Sequence, residues 1–287
     1  MLGPAEGVIV AGARRSAVEH RLAHQILSFE DLRQRYPALN PSPETIAVLE
    51  PRAGMLFSEL AIQTHLELAG QSGATLYYNQ PIARWEPLAG GVRVITASGA
   101  FTANKLLISA GAWLSTLVPE NKLPLSVERQ VLFWFEVSSP PEIFRPERLP
   151  IFLWEYEPHK FFYGFPDVGD GFKIALHHQG EKTSPDQLRR EVTQGEIEHM
   201  RGLLARFLPA ADGPLKSATV CMYTNTPDEN FILDFHPQHP QVLIASPCSG
   251  HGFKFSSAIG ETAADLLTKQ FSRFDLTPFK IARFSVS

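Results

Sequence analysis

One segment constrains this chain more than any other: Ser249-Gly250-His251-Gly252-Phe253-Lys254-Phe255-Ser256-Ser257. It follows the apolar run Val242-Leu243-Ile244-Ala245 and precedes apolar positions at Ile259, Ala263, Leu266 and Leu267. The run reads as a strand, and the spacing after it reads as a helix. Two glycines in the turn let the backbone approach a ligand closely. The start of the helix and the Lys254 ammonium both favour negative charge nearby. The same residues serve equally well as an ordinary strand–loop–helix connection with a solvated lysine.

The rest of the chain alternates in the same way. Helical spacing runs through Arg14–Leu22, and Ser28-x-x-Asp31 is a cap signal for a helix running toward Tyr36. Ser58–Ala69 is expected to be a helix with Ile62, Leu66 and Ala69 on one face and Gly70 as its stop. Strands are expected at Thr75–Tyr78, Val92–Thr96, Ala100–Thr102 and Leu106–Ser109, and a charged helix at about Ser184–Phe207. Further strands are expected at Thr219–Thr224 and Phe231–Asp234, and the last helix ends near Gln270. Helices mixed with strands predict an α/β (α+β) fold.

Composition narrows the partners. With 26 Lys+Arg against 30 Asp+Glu the net charge is −4, so nothing points to nucleic acid or an anionic membrane. The apolar runs fall far short of the ~20 residues a membrane span needs. No basic segment followed by a long apolar stretch opens the chain, and Ser285-Val286-Ser287 is not a peroxisomal address. Two cysteines, Cys221 and Cys248, make neither a disulfide framework nor a cysteine-rich zinc site. A cytoplasmic protein is the expectation.

Two other segments offer chemistry. In Cys221-Met222-Tyr223-Thr224, strand geometry puts Cys221 and Tyr223 on one face. A lone strand cysteine is ordinarily a small buried hydrophobe. If 172–178 is a strand, Lys173, Ala175 and His177 share a face opposite Phe172, Ile174, Leu176 and His178. A lysine there is costly to bury without a partner or ligand, but can snorkel from an edge strand.

In order along the chain, these segments resemble the family of monomeric sarcosine oxidase and N-methyltryptophan oxidase. The resemblance takes in Glu50-Pro51-Arg52-Ala53-Gly54, Ser109-Ala110-Gly111-Ala112-Trp113 and Arg129-Gln130. Its most specific part pairs Cys221-Met222-Tyr223-Thr224-Asn225-Thr226-Pro227-Asp228 with Ser249-Gly250-His251-Gly252-Phe253-Lys254. The resemblance implies an FAD-dependent oxidase with the flavin attached through a thioether from Cys221. It implies that secondary amines of amino acids become imines, which water hydrolyses, while dioxygen becomes hydrogen peroxide. Lys254 is implied to hold the substrate carboxylate and Lys173 to stand near the flavin for oxygen activation. Tyr163, His177, Tyr223, Gly250 and His251 are implied to line the substrate cavity. Met222, Gly111, Trp113, Gly252 and Phe253 are implied to contact the flavin together with Lys254 and Gly250. Sarcosine, N-methyltryptophan, pipecolate and similar amines all suit such a cavity, and the resemblance implies a monomer.

The same resemblance implies a discontinuous flavin domain. Residues 51–117 and 221–287 would be the remainder of a Rossmann-like FAD-binding domain, and residues 1–50 and 118–220 an antiparallel-sheet substrate domain. The family opens with a G-x-G-x-x-G turn that binds the FAD pyrophosphate. Here Val8-Ile9-Val10-Ala11-Gly12 imitates the strand and first glycine, but Arg14 stands where the second glycine is needed. The chain is therefore expected to lack that dinucleotide-binding unit. An inactive, truncated, flavin-free fragment that keeps the substrate-domain fold is the alternative. A Cys221 hydrolase would need a histidine beside the thiol. A metal site from His177, His178, His236 and His239 is disfavoured, because His177 and His178 would point to opposite faces of a strand.

Overall fold

The computed structural model describes residues 1–138 and 140–284, so the terminal Ser285-Val286-Ser287 lies outside the described residues. The chain begins with β1 (Leu2–Pro4), α1 (Val8–Glu19), β2 (Gln25–Leu27), α2 (Phe29–Arg35) and β3 (Thr45–Leu49). Next come α3 (Ser58–Gln71), β4 (Ile82–Leu88), β5 (Gly91–Thr96), β6 (Gly99–Ala103), β7 (Leu106–Ile108) and α4 (Leu114–Leu117). The middle holds β8 (Ser126–Phe135), β9 (Phe152–Glu157), β10 (Lys160–Phe165), β11 (Phe172–His177), β12 (Lys182–Thr183) and α5 (Gln194–Phe207). The chain closes with β13 (Leu215–Asn225), β14 (Ile232–His236), β15 (His239–Ser246) and α6 (Ser256–Lys269). This is a mixed α/β fold. It divides into two compact units: Met1–Met55, Arg129–Glu181 and Leu188–Cys221, then Leu56–Glu128, Lys182–Gln187 and Met222–Ser287.

The first unit is built on a sheet in the order β8-β11-β10-β9-β1-β3-β2, with β13 also paired to β8. β1 runs parallel to β9, and the other registered neighbours are antiparallel. Phe133, Phe135, Phe152, Trp154, Phe162 and Phe172 are all buried in its core. α5 packs against them through Met200, Leu203, Leu204 and Phe207, the i, i+3, i+4, i+7 spacing of a helix with one apolar stripe. Trp154 stacks on Phe162 at 5.6 Å and meets Phe207 at 5.0 Å.

Both capped helices of this unit begin on a reciprocal box: Ser28 with Asp31 at α2, Thr193 with Glu196 at α5. Glu196 also receives Arg129, which is buried and donates to the carbonyls of Arg189 and Glu191 at 2.6 and 2.7 Å. Burial alone would raise the Glu196 carboxyl. Hydrogen bonds from Arg189, the Thr193 backbone and Arg129 outweigh it and bring the carboxyl from 4.5 to about 2. A depressed carboxyl gives stability that is complete above the unfolded value and is lost as pH falls through the folded one. Glu196→Gln is expected to flatten the acid dependence between those two values, about 4.5 and about 2. Urea midpoints followed across that window would check it. An unchanged slope would show that the network adds nothing.

The second unit holds the sheet β14-β15-β7 and the antiparallel meander β4-β5-β6. β15 and β7 are parallel, pairing Val242 with Leu106 and Ile244 with Ile108. Both faces of β15 are covered. Val242 and Ile244 pack with Ile108, Leu114 and Val118, while Leu243 and Ala245 pack with Ala263 and Leu266 of α6. That is why the strand is a continuous apolar run and not an alternating one.

Several expectations are corrected. Val8–Gly12 is not strand-like; it opens α1, whose Ile9 N–H donates to Glu155 Oε2 at 3.4 Å. Thr75–Tyr78 forms no strand. The charged helix starts at Gln194, not near Ser184. α3 runs past Gly70 to Gln71, and none of its residues is buried, Ile62 and Leu66 included. Among the described residues no helix is long and apolar enough to cross a membrane.

Candidate active site

The residues singled out above fall into two clusters, one in each unit. In the first unit, β11 pairs with β10 so that Lys173 faces Phe165 and Ala175 faces Tyr163. On its other side β11 pairs Lys173 with Trp134 of β8. The Lys173 ammonium therefore lies over two ring faces, 5.0 Å from Trp134 and 5.1 Å from Phe165. Those rings lower the cost of holding a cation on a half-buried strand face. Tyr163 meets the His177 ring edge-on at 6.2 Å.

The strand ends at His177. His178 takes a left-handed φ of 54°, and its ring comes within 4.2 Å of His177. The two histidines thus meet, contrary to the opposite-faces expectation, yet no group of three metal-ligating side chains exists among the described residues. Cys221, half-buried on β13, completes this cluster. Burial raises its thiol, and the Lys173 charge opposes that rise. The charged group acting on the sulfur is thus a lysine, not the histidine a hydrolase would need.

The second cluster stands at the carboxyl ends of two parallel strands. β7 leads into Gly111 and Trp113, and β15 leads into the turn 247–252. Open α/β sheets bind ligands at such ends. Trp113 is part-exposed and donates its indole N–H to Asp186 Oδ1 at 2.9 Å. Gly250 has φ +74°, and a Cβ there would sit 2.6 Å from the Tyr223 ring. A Cβ on Gly252 would sit 1.5 Å from the Pro247 carbonyl oxygen. Both positions are therefore closed to any side chain.

Buried Ser249 ties this turn to β13. Its N–H donates to the Thr224 carbonyl at 2.9 Å, and its hydroxyl accepts from the Thr226 N–H at 3.3 Å. Phe253 and Phe255 form the short turn before α6 and remain part-exposed. Lys254 lies between them, 5.5 Å from the Phe255 ring. Burial lowers its pKa, and no carboxylate pairs with it among the described residues. Met222 and Tyr223 are half-buried on β13. Tyr223, Gly250, Gly252 and Lys254 are thereby gathered around one turn, with His251 beside them. Asp186, Ser249 and Thr226 were given no role by the sequence. No local signal marks Asp186, whose partner Trp113 lies 73 residues away.

Residues 6–266 match the family model described as DAO, FAD dependent oxidoreductase. The chain is 40% identical over 270 residues to monomeric sarcosine oxidase of Streptomyces avermitilis, covering 93% of this chain and 70% of that one. It is 37% identical over 286 residues to N-methyl-L-tryptophan oxidase of Salmonella typhi, covering 99% and 76%. Among solved structures, L-proline dehydrogenase from P. horikoshii superposes with a TM-score of 0.83 at 17% identity, covering 99% and 75%. The amino acid oxidase NikD does so with a TM-score of 0.80 at 19%, covering 97% and 75%. At those identities the two structures speak to the fold alone.

Proposed function

Because the chain belongs to the DAO family of FAD-dependent oxidoreductases, we propose that it oxidises the secondary amine of an N-methylated or cyclic amino acid, with dioxygen as the electron acceptor. The observation that carries this reading is Lys254: an exposed side chain whose ammonium is nevertheless partly desolvated and has no carboxylate partner among the described residues, beside a glycine turn at the end of β15. A desolvated cation is costly unless an anion completes it, and a substrate carboxylate is such an anion.

The residues present fit a flavin. The support is the position of the site: Gly111 and Trp113 follow β7 and the 247–252 turn follows the parallel strand β15, with Tyr223 and the Pro247 carbonyl packed against Gly250 and Gly252. Cys221, Met222, Gly111, Trp113, Gly250, Gly252, Phe253 and Lys254 are proposed to hold it, with Cys221 as the point of covalent attachment. FAD, when bound, supplies the acceptor for the two electrons of amine oxidation and passes them to dioxygen, giving hydrogen peroxide. Lys173 would contribute a fixed positive charge where charge develops on dioxygen. Tyr163, His177, Tyr223 and His251 would line the space around the amine, and the protein would work as a monomer.

Lys254→Met keeps the length of the side chain and removes its charge. A hydrogen bond to a charged group is worth about 1.5–3 kcal/mol, so KM for sarcosine should rise by tenfold or more while kcat changes less. Because burial lowers the Lys254 pKa, affinity for the carboxylate should also decline at alkaline pH before an ordinary lysine would lose its proton. Peroxide release assayed across a panel of N-methyl and cyclic amino acids measures both. Equal KM values in the wild type and the variant would remove the basis of this reading.

A second reading is a protein that keeps this fold but holds no flavin. It is favoured by Val8–Gly12, which starts a helix and does not form a strand leading into a glycine turn. The visible absorbance of the purified protein separates the two.

A further inference from the structure

The turn 226–230 carries an unusual concentration of polar contacts for a surface loop. Arg283, in the last described turn of the chain, forks onto Asp228, with Nε to Oδ2 at 2.8 Å and Nη2 to Oδ1 at 3.2 Å. The same guanidinium donates through Nη1 to the Lys280 carbonyl at 3.0 Å and lies over the Phe284 ring at 3.9 Å. Asp228 Oδ1 in turn accepts the Asn230 N–H at 3.2 Å. Thr226 closes the loop from the other end, its hydroxyl donating to the Asn230 carbonyl at 2.6 Å and its N–H to Ser249 Oγ at 3.3 Å. The Asp228 carboxyl is held well below the carboxylate range, first by the Arg283 hydrogen bond. A bidentate arginine–carboxylate pair fixes geometry as well as charge.

Between these clamped residues sits Glu229, at a left-handed φ of 57°. Non-glycine residues adopt that conformation uncommonly. Here it goes with a Glu229 carbonyl oxygen 3.0 Å from His251 Nε2. The His251 ring also packs on buried Phe231 at 5.1 Å, and the backbone N–H of His251 donates to the Cys248 carbonyl at 3.2 Å. A carbonyl oxygen has no proton to give. Nε2 must therefore be the protonated nitrogen of the neutral ring, and Nδ1 is left as its one acceptor.

The geometry points to Arg283 and Asp228 as positioning residues. By clamping the 226–230 turn they aim the Glu229 carbonyl at His251, fix that ring in its Nε2–H form and keep Nδ1 free to accept a proton or a hydrogen bond. Neither residue needs to touch a substrate to do this. The inference deepens the proposed oxidase reading, in which His251 lines the amine site, but the state of the ring can be observed without it.

The experiment is a two-bond nitrogen–proton correlation spectrum of the full chain carrying 15N-labelled histidine, recorded at a pH where His251 is neutral, with exchange of its Nε2–H followed in parallel. Wild type should show an Nε2–H ring with a slowly exchanging proton. Asp228→Ala should speed that exchange at least tenfold and let the ring sample both neutral forms. Should Asp228→Ala not fold, Arg283→Met keeps the apolar stem over Phe284, removes the fork and should give the same change. Arg283→Lys restores one hydrogen bond and should recover part of the protection. A His251 ring indistinguishable from wild type in both Asp228→Ala and Arg283→Met overturns the inference, whatever the activity. Sarcosine oxidation measured on the same variants reads the other question. A changed ring with unchanged kcat and KM would uphold the clamp and remove His251 from the proposed amine site.

Discussion

Acid precipitation of the flavin-loaded protein is expected to carry the yellow colour into the pellet, and Cys221→Ser is expected to release it entirely to the supernatant. A thioether survives acid denaturation, whereas a flavin held only by packing and hydrogen bonds leaves with the fold. Cys221 suits the attachment for a reason local to the first unit. The thiolate is the reactive form of a cysteine, and burial alone disfavours it, but Lys173 places positive charge near enough to oppose that rise. Cys248 makes the comparison a fair one. Its thiol is also half-buried and also raised by burial, yet no cation opposes the rise. Cys248→Ser should therefore leave the colour in the pellet. Colour released from the wild type, or lost with Cys248→Ser and kept with Cys221→Ser, would refute the assignment of Cys221.

Gly252→Ala is expected to be the most damaging single methyl group that can be added to the glycine turn. Its Cβ would lie 1.5 Å from the Pro247 carbonyl oxygen and 2.5 Å from the carbonyl carbon. Both are backbone atoms, so no side-chain rotation relieves the clash. Overpacking costs about 1–3 kcal/mol where neighbours can shift, and a clash with fixed backbone belongs at or above the top of that range. Pro247 adjoins the buried stretch Val242–Ser246 of β15, so a shift there would disturb the core between β15 and α6. Gly202→Ala supplies the control. It lies inside α5 with open space around its Cβ position, and alanine is the better helix former by about 0.8–1 kcal/mol. The two urea midpoints should move in opposite directions. A Gly252→Ala protein as stable as wild type would mean that the turn is far softer than its packing indicates.

What could be read in advance was whatever the local chain determines by itself. The run Val242–Ala245 had to be a strand because its residues are apolar, mostly β-branched or large, and bounded by a glycine turn. The Ser28 box was legible for the same reason, since both partners lie within one turn of helix. Its counterpart at Thr193 and Glu196 was equally present in the sequence and would have placed the start of α5 correctly. Other elements depend on distant residues. Val8–Gly12 has strand-like β-branched residues, yet it turns helical with its Ile9 N–H on Glu155, 146 positions away, and a carboxylate at a helix start is stabilising. Thr75–Tyr78 has strand propensity but no strand partner among the described residues, and a strand is defined by its partner. β4 carries Pro87, which argues against a strand until β4 is seen to lie at the edge of its sheet.

The candidate site divides along the same line. The residue types around Cys221, Gly250 and Lys254 were legible because their spacing is specific. Their second layer was not. Asp186 beneath Trp113, Ser249 beneath Thr226 and Arg283 beneath Asp228 each join positions 23 to 73 residues apart, and nothing in either partner announces the other.

α3 leaves a thermodynamic asymmetry inside the second unit. A helix of 14 residues with no buried side chain has only its own backbone bonds and flanking contacts to oppose unwinding, and isolated helices of that length are marginal in water. α6 is equally long but shares Ala263 and Leu266 with the core around β15. Opening α6 therefore means opening that core, whereas α3 can melt and re-form while the cores around it persist. The second unit is thus expected to have two melting regimes: a local, shallow one at α3, and a global one set by β15 and α6.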